Sequence, residues 1–541
     1  MFAMTFLRAA SVAAIGFFAF SPAAHADALS DAKARCEGQS NATPDEIISG
    51  CTALIQAGQY DSSGLALVYN NRGTAHDAKK DYDRAIADYD EAIRLKPDYA
   101  NAFYNRGNSF RSKGDDDRAI ADYSEAIRLA PDHARAFEAR AKAYNSKFDY
   151  DRVIADYSEV IRLEPDNTAI LKERAWIYQV KNDRDRAIAD YTEVIRRTPG
   201  DAYAFSERGH AYEIKGDFER AIADFNEAVR LKPDYLSYSS RGHAYDDMGD
   251  YDRAIADYSE AIRLKPDDEG SYLFRGSAYR DKGDYERAIA DQNEMIRLNP
   301  AFAPNVAHRG LTYFAKGDTE RAFADYNEAI GLKPDFALAL YYRGVAYAVA
   351  GDWTRANADF EQAFAADRRR PHTLLWLHLS RAKTGKAGAG TLSNDAASLD
   401  FSRWPAQIVN FYLGRANEDD VRKAAAAEAG NRPPAQKQRN CEVAFYLGEF
   451  ELLNENTSAA RGLLQQAVDI CPRHMLEYSA AQAEMKTLGS GGNVMASVKG
   501  YYDQLANSLP AWFPREWLPF VLGIVVGGIL VLFIRRRRAK A

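Results

Sequence analysis

Prolines at Pro97, Pro131, Pro165, Pro199 and Pro233 stand 34 residues apart, and after one 33-residue step to Pro266 the spacing resumes at Pro300 and Pro334. A fixed period of this length confines a chain to repeat architectures, because each unit is one supersecondary element that must stack on copies of itself. Ahead of each proline lies a segment such as Asp81 to Tyr89, which returns unchanged at Asp250 to Tyr258. Each unit holds two helical patterns. One opens at Ala102-Phe103-Tyr104, the other contains Arg118-Ala119-Ile120-Ala121, and Gly114-Asp115 makes the turn between them. The small residues Gly107, Ala119 and Ala126 lie where two antiparallel helices must touch, with Phe110 and Tyr123 beside them. A single hairpin cannot bury its apolar face, so stacking has to supply the core.

This pattern of small residues, aromatics and a terminal proline resembles the tetratricopeptide repeat. Nine copies run over 66–370. The resemblance implies an all-α, right-handed α-solenoid of about ten helical hairpins. Residues 27–65 read as a capping hairpin, Leu29 to Gly38 and Pro44 to Gly58. Residues 371–488 read as a helical module with a further repeat at 441–474, in which Gly448, Ala460, Ala467 and Pro472 take the standard places. Its Leu375-Trp376-Leu377 helix, its Trp404-Pro405 segment running to Phe411-Tyr412-Leu413-Gly414, and Phe445-Tyr446-Leu447-Gly448 resemble the C-terminal half of the bacterial lipoprotein NlpI. That resemblance implies an envelope adaptor near cell-wall hydrolases and their processing protease, although NlpI is anchored by an N-terminal lipid and has a shorter array.

Both termini carry targeting signals. Arg8, an apolar run from Ala9 to Phe20, Pro22 and Ala24-His25-Ala26 form a secretory signal peptide over 1–26, so the mature chain is expected to begin near Asp27. After a linker at 489–517, the 17 uncharged residues 518–534 span roughly 25 Å as a helix, a short transmembrane segment. Trp512 and Trp517 precede it and the basic tail 535–541 follows, which orients the body outside the cytoplasm. Gly523 and Gly527 form a GxxxG that would allow close approach of two such helices in a homodimer; ordinary lipid-facing glycine is the alternative reading. The expected location is a bacterial inner membrane, single-pass, with the repeats in the periplasm. Setting aside Arg8 and the five cations of the tail leaves 64 basic against 77 acidic residues, and an acidic body repels nucleic acid.

The four cysteines lie in the exported region, which favours disulfides. Cys441 and Cys471 hold places 1 and 31 of one repeat, the ends that meet in an antiparallel hairpin, and Cys36 and Cys51 face each other across the capping hairpin. The pairs expected are therefore Cys36 with Cys51 and Cys441 with Cys471; the alternative is buried free thiols. Arginine recurs at place 7 from Arg72 to Arg343 and aspartate at place 23 from Asp88 to Asp359, as scaffold ion pairs worth little singly if exposed.

Function should then sit where the copies differ, on the inner wall built from places 2, 5, 9 and 12 of the first helices. That wall is polar at Asn101, Tyr104, Asn108 and Arg111, and again around Tyr203 and His210. It becomes apolar at Leu311, Phe314, Leu338, Tyr341 and Val345. These are the candidate protein-binding residues. The apolar stretch is either a groove for a partner's peptide or helix, or a face covered by the chain's own C-terminal module. A carboxylate clamp of the kind some tetratricopeptide domains carry is not supported, since Asn70 and Thr74 stand where Lys and Asn are needed, beside Asn71 and Asn105. His210 and His243 share place 9 of neighbouring copies and read as polar lining rather than metal ligands. No P-loop, Gly-x-Ser-x-Gly or His-Glu-x-x-His occurs, so no catalytic residue, metal or cofactor is expected. The partners expected are envelope proteins or peptides. An accessory subunit of a secretion or polysaccharide-export assembly is the alternative, and an enzyme with a repeat-built substrate recruiter a more distant one.

Overall fold

The computed structural model describes residues 22–38, 41–386 and 390–489, which form helices and no strand. The apolar segments 9–20 and 518–534, the GxxxG and the basic tail lie outside these residues. Among the described residues, no helix is long and apolar enough to cross a membrane. The expected cleavage point before Asp27 falls within the first described helix, Pro22–Cys36.

The chain divides into two compact units, Met1–Ala211 and Tyr212–Ala541, with the boundary inside helix Ala202–Ile214. The first unit opens with the hairpin Pro22–Cys36 and Pro44–Ala57, whose Cys36 and Cys51 are joined by a disulfide with Cα atoms 4.7 Å apart. Four repeat hairpins follow, from Ser62–Ala78 with Tyr82–Leu95 to Thr168–Val180 with Arg184–Arg197. The second unit contains Phe218–Leu231 and four complete hairpins, from Tyr235–Met248 with Tyr251–Leu264 to Ala337–Val349 with Trp353–Ala366. Its remaining helices are Pro371–Lys383, the short Thr391–Asp395 with a 3-10 turn at Ala396–Ser398, Ala406–Tyr412, Glu418–Ala429, Pro433–Leu453, Thr457–Ile470 and a last one over 476–489. Cys441 and Cys471 are bonded, with Cα atoms 4.8 Å apart. The first helix of this late hairpin begins at Pro433, not at Cys441 where the repeat phase would start it, because two prolines suit the first turn of a helix, where no backbone N–H is needed.

Local chemistry explains each hairpin. After the first repeat, where Asp81 makes no such bond, the second helices of the repeats start at an aspartate whose side chain accepts the backbone N–H three residues on, as Asp115, Asp149, Asp183 and Asp217 do. The preceding turn needs a positive φ, which glycine supplies at Gly114 (79°) but a bulky residue must adopt at Phe148 (59°). Place 8 is small because place 24 is large. A Cβ built on Gly107 would lie 2.7 Å from Tyr123 Cε1, and one on Gly344 would lie 2.7 Å from Phe360 Cε1.

The recurrent arginine and aspartate are not exposed pairs. Within one repeat Arg140 donates Nε and Nη2 to the two oxygens of Asp156 at 2.9 and 2.7 Å, and the carboxylate is buried. The same fork joins Arg72 to Asp88, Arg106 to Asp122, Arg174 to Asp190, Arg241 to Asp257, Arg275 to Asp291, Arg309 to Asp325 and Arg343 to Asp359. The third nitrogen of each guanidinium reaches back to place 25 of the preceding repeat: Arg140 to Ser124 at 3.0 Å, Arg174 to Ser158 at 2.8 Å, Arg208 to Thr192 at 3.0 Å. In the second unit Arg241 reaches Asn226, Arg275 reaches Ser259 and Arg343 reaches Asn327. One side chain thus closes its own hairpin and clips it to the one before. Exposed lysines add a second joint, such as Lys147 to Asp117 at 2.8 Å.

Candidate functional site

The wall built by the first helices differs between the two units. In the first, its outward places stay accessible. Asn101 and Arg111 are exposed, while Tyr104 and Asn108 are half-buried and engaged at home: Tyr104 lies 5.0 Å from the His133 ring, and Asn108 accepts a 2.8 Å bond from the Tyr123 hydroxyl. Asn105 donates to Asn70 at 3.0 Å and Asn71 to the Cys36 carbonyl at 3.3 Å, so the place-6 asparagines knit neighbouring hairpins together. The wall also displays large apolar side chains, Leu67, Trp176 (42% exposed) and Tyr203 (50% exposed). Trp176 holds place 9 of its repeat, a position set by its spacing from Arg174 at place 7. His210 is half-buried in this unit; His243 belongs to the second, where its ring meets Phe274 edge-on at 3.9 Å. Among the described residues no group of three or more His, Cys, Asp or Glu is placed to hold a metal ion.

In the second unit the apolar residues do not form an open groove. Phe314, Tyr341 and Val345 are buried and Leu311 and Leu338 half-buried, all in one core with Trp376, Phe445 and Leu476 of the C-terminal module. The rings of Phe360, Trp376 and Phe445 stack in series at 5.8 and 5.5 Å, carrying the last repeat's core into the module. The reason is area: an uncovered apolar wall of this size is costly in water, and the helices that follow it in the chain cover it.

What remains open there is a cleft of about 490 Å³. Leu311, Leu338, Tyr341 and Tyr342 line it from the repeats, and Trp404, Met475 and Leu476 from the module. Glu442 sits in its wall, bonded to His372 at 2.9 Å, to Arg439 at 3.1 Å and to the Trp404 indole N–H. Burial would push the Glu442 carboxyl up, but His372 and Arg439 more than offset it and hold it below the usual carboxylate range. His372 is raised in turn, because the Glu442 charge outweighs burial. Beside it Glu477 is pushed up to about 7 by burial and then by Glu442, and deeper in the module Glu449 is pushed up to about 8 by burial and then by Glu484. Nothing in the sequence pattern joined His372, Trp404 and Glu442, which lie up to 70 residues apart.

The family model for the tetratricopeptide repeat matches residues 70–134, 104–168, 172–235 and 240–301, and a second model for the same repeat matches 310–351. The chain belongs to the tetratricopeptide-repeat family. Similar solved structures include a tetratricopeptide-repeat protein from Parabacteroides merdae, 19% identical over 52% of this chain and 98% of that one, with a TM-score of 0.36. Yeast Tom70 is 16% identical over 80% of this chain and 97% of its own, with a TM-score of 0.34. MamA from Desulfovibrio magneticus is 19% identical over 31% and 96%, with a TM-score of 0.30. At these scores the likenesses add nothing to the repeat matches, which decide the family. A tetratricopeptide-repeat fold is a scaffold for contacts between proteins, and that is the class of work this chain is built for.

Proposed function

We propose that this tetratricopeptide-repeat chain is a membrane-anchored adaptor of the bacterial envelope, displayed on the periplasmic side by its segment 518–534 and gathering envelope proteins on the first-helix wall of its first unit. The observation that carries the reading is the contrast between the walls: the apolar one is covered by the chain's own module, whereas the first unit leaves Trp176, Tyr203 and Leu67 exposed among polar neighbours. Rigid stacking preorganises that surface, so a docking partner loses little entropy to ordering the scaffold. The signal peptide and the arginines of the tail support the topology, and the resemblance of 371–488 to NlpI supports partners among cell-wall hydrolases and their protease. A binding role, with no catalytic centre, no cofactor and no nucleic acid, is part of the same reading; dimerisation through Gly523 and Gly527 is its structural corollary.

The test is photocrosslinking in living cells from probes at Trp176 and Tyr203, with identification of the captured proteins and N-terminal sequencing of the mature chain. Capture of a hydrolase or protease supports the adaptor, and capture of an export channel moves the assignment to a secretion or polysaccharide-export assembly. No capture at either position, with capture from probes on the second helices of the same repeats, refutes the wall as the docking surface.

A further inference from the structure

The cleft between the last repeats and the C-terminal module has a rim unlike the rest of this acidic chain. Four arginines line it: Arg280 from helix Glu269–Asp281, Arg369 and Arg370 from the turn after Trp353–Ala366, and Arg403 beside Trp404. Three carboxylates line it too, Asp400, Glu442 and Glu477, the last accepting a 3.5 Å bond from the Tyr446 hydroxyl. Glu442 is already spent on His372 and Arg439. Asp400 meets Arg403 at 3.3 Å on the surface, and Asp367, outside the cleft, meets Arg370 at 3.0 Å and Arg369 at 3.5 Å with both arginines exposed. Such exposed pairs exchange for another anion at little cost. Arg280 Nε makes no hydrogen bond, although it lies 3.4 Å from the Asp281 carboxylate. The floor between these cations is apolar, with Leu311, Leu338 and Tyr342 only partly covered.

From this juxtaposition we infer that the cleft binds an extended acidic segment of a partner protein, its carboxylates on the arginine rim and its alternate apolar side chains on the floor. Charge complementarity selects this occupant. A guanidinium takes a carboxylate by two parallel hydrogen bonds, and an extended strand presents successive side chains to opposite sides, which suits a site that is charged above and apolar below. The inference rests on the scaffold reading and adds a second docking site to it, on the other unit.

The probe is a fluorescein-labelled, end-capped pentapeptide alternating Asp and Leu, titrated into the full chain by fluorescence anisotropy. Two comparators accompany it, the same peptide with Asn for Asp, and penta-aspartate. The alternating peptide is expected to bind most tightly, and the combined Arg369→Glu, Arg370→Glu, Arg403→Glu variant to weaken it by at least about tenfold, since charge-assisted contacts are reversed at all three places. All three side chains are exposed, so the variant keeps the fold, and the milder Arg-to-Gln triple should give an intermediate loss with an unchanged thermal melt. Equal binding of the Asn peptide, equal binding of penta-aspartate, or no effect of the triple variant would each overturn the inference. Crosslinks from Trp176 and Tyr203 report separately on the first unit, so failure here with capture there leaves the adaptor reading standing.

Discussion

Replacing Arg140 by methionine isolates what the recurrent arginine does. Its guanidinium is about one-fifth exposed (19%) and Asp156 only 5%, so methionine strands a carboxylate away from water with no donor. Breaking a buried ion pair from one side costs about 3–5 kcal/mol, and residual solvent access at Arg140 puts the expectation near the lower end, about 3 kcal/mol. Ser124→Ala removes the backward bond to the preceding repeat together with the hydroxyl's own 2.7 Å bond to the Ile120 carbonyl, and should cost about 0.5–1.5 kcal/mol. The double change Arg140→Met with Asp156→Leu removes both charges at once and should recover most of the loss. A stacked array unfolds piecewise, so the readout is hydrogen exchange in helices Ala134–Ser146 and Tyr150–Leu163, compared with Ala100–Ser112. A single mutant less than about 1 kcal/mol down, or a double mutant worse than the single, would show that the pair is not a buried structural clip.

Gly107→Ala should be mild, because two other copies carry Ala141 and Ala175 at this place, whereas Gly107→Leu drives a side chain into Tyr123 and should cost about 1–3 kcal/mol in a thermal melt. Phe148→Gly should stabilise the first unit by about 1 kcal/mol in urea, since the ring is 76% exposed and its left-handed backbone suits glycine; a loss instead would mean the ring is packed. For pH, Glu477 and Glu449 have folded values of about 7 and about 8 against 4.5, so the stability they contribute is complete below 4.5 and lost as pH rises through those values. His308 and His474, lowered to about 4 from 6.5 by burial, contribute stability that is complete above 6.5 and lost as pH falls. The second unit should therefore weaken between about pH 6.5 and 8, and Glu449→Gln should flatten that limb in denaturant titrations at each pH.

Much of the fold was legible because it is written many times over. The period, the two helices per unit, the small residue at Gly107 against Tyr123, and the hairpin phase that sets Cys441 beside Cys471 all follow from local spacing. The clip to the preceding repeat was not. Its acceptor is Ser124 in one copy, Thr192 in another and Asn226 in a third, alike only in offering a short oxygen, so it never appears as a repeated letter. The site was harder still. Periodicity placed Leu311 and Tyr341 on one wall, but whether that wall faces water depends on helices from 371 onward, which contact it through packing that no short-range pattern encodes. The same holds for Arg280 and Arg403, which share one cleft from more than a hundred residues apart in the chain.

The backward reach of each arginine also gives the array a direction, like couplings on railway wagons. Every internal wagon carries a hook at its front and a ring at its rear. The leading ring is Thr52 in the capping hairpin, taken by Arg72 at 3.1 Å, and the last ring is Glu361, taken at 2.8 and 2.9 Å by Arg381 of the C-terminal module. A whole wagon can therefore be added or removed at an internal joint without leaving a coupling open, so the length of the train is free to vary. Its two ends are not free, because removing either the capping hairpin or the helix that carries Arg381 leaves one half of a coupling without its mate.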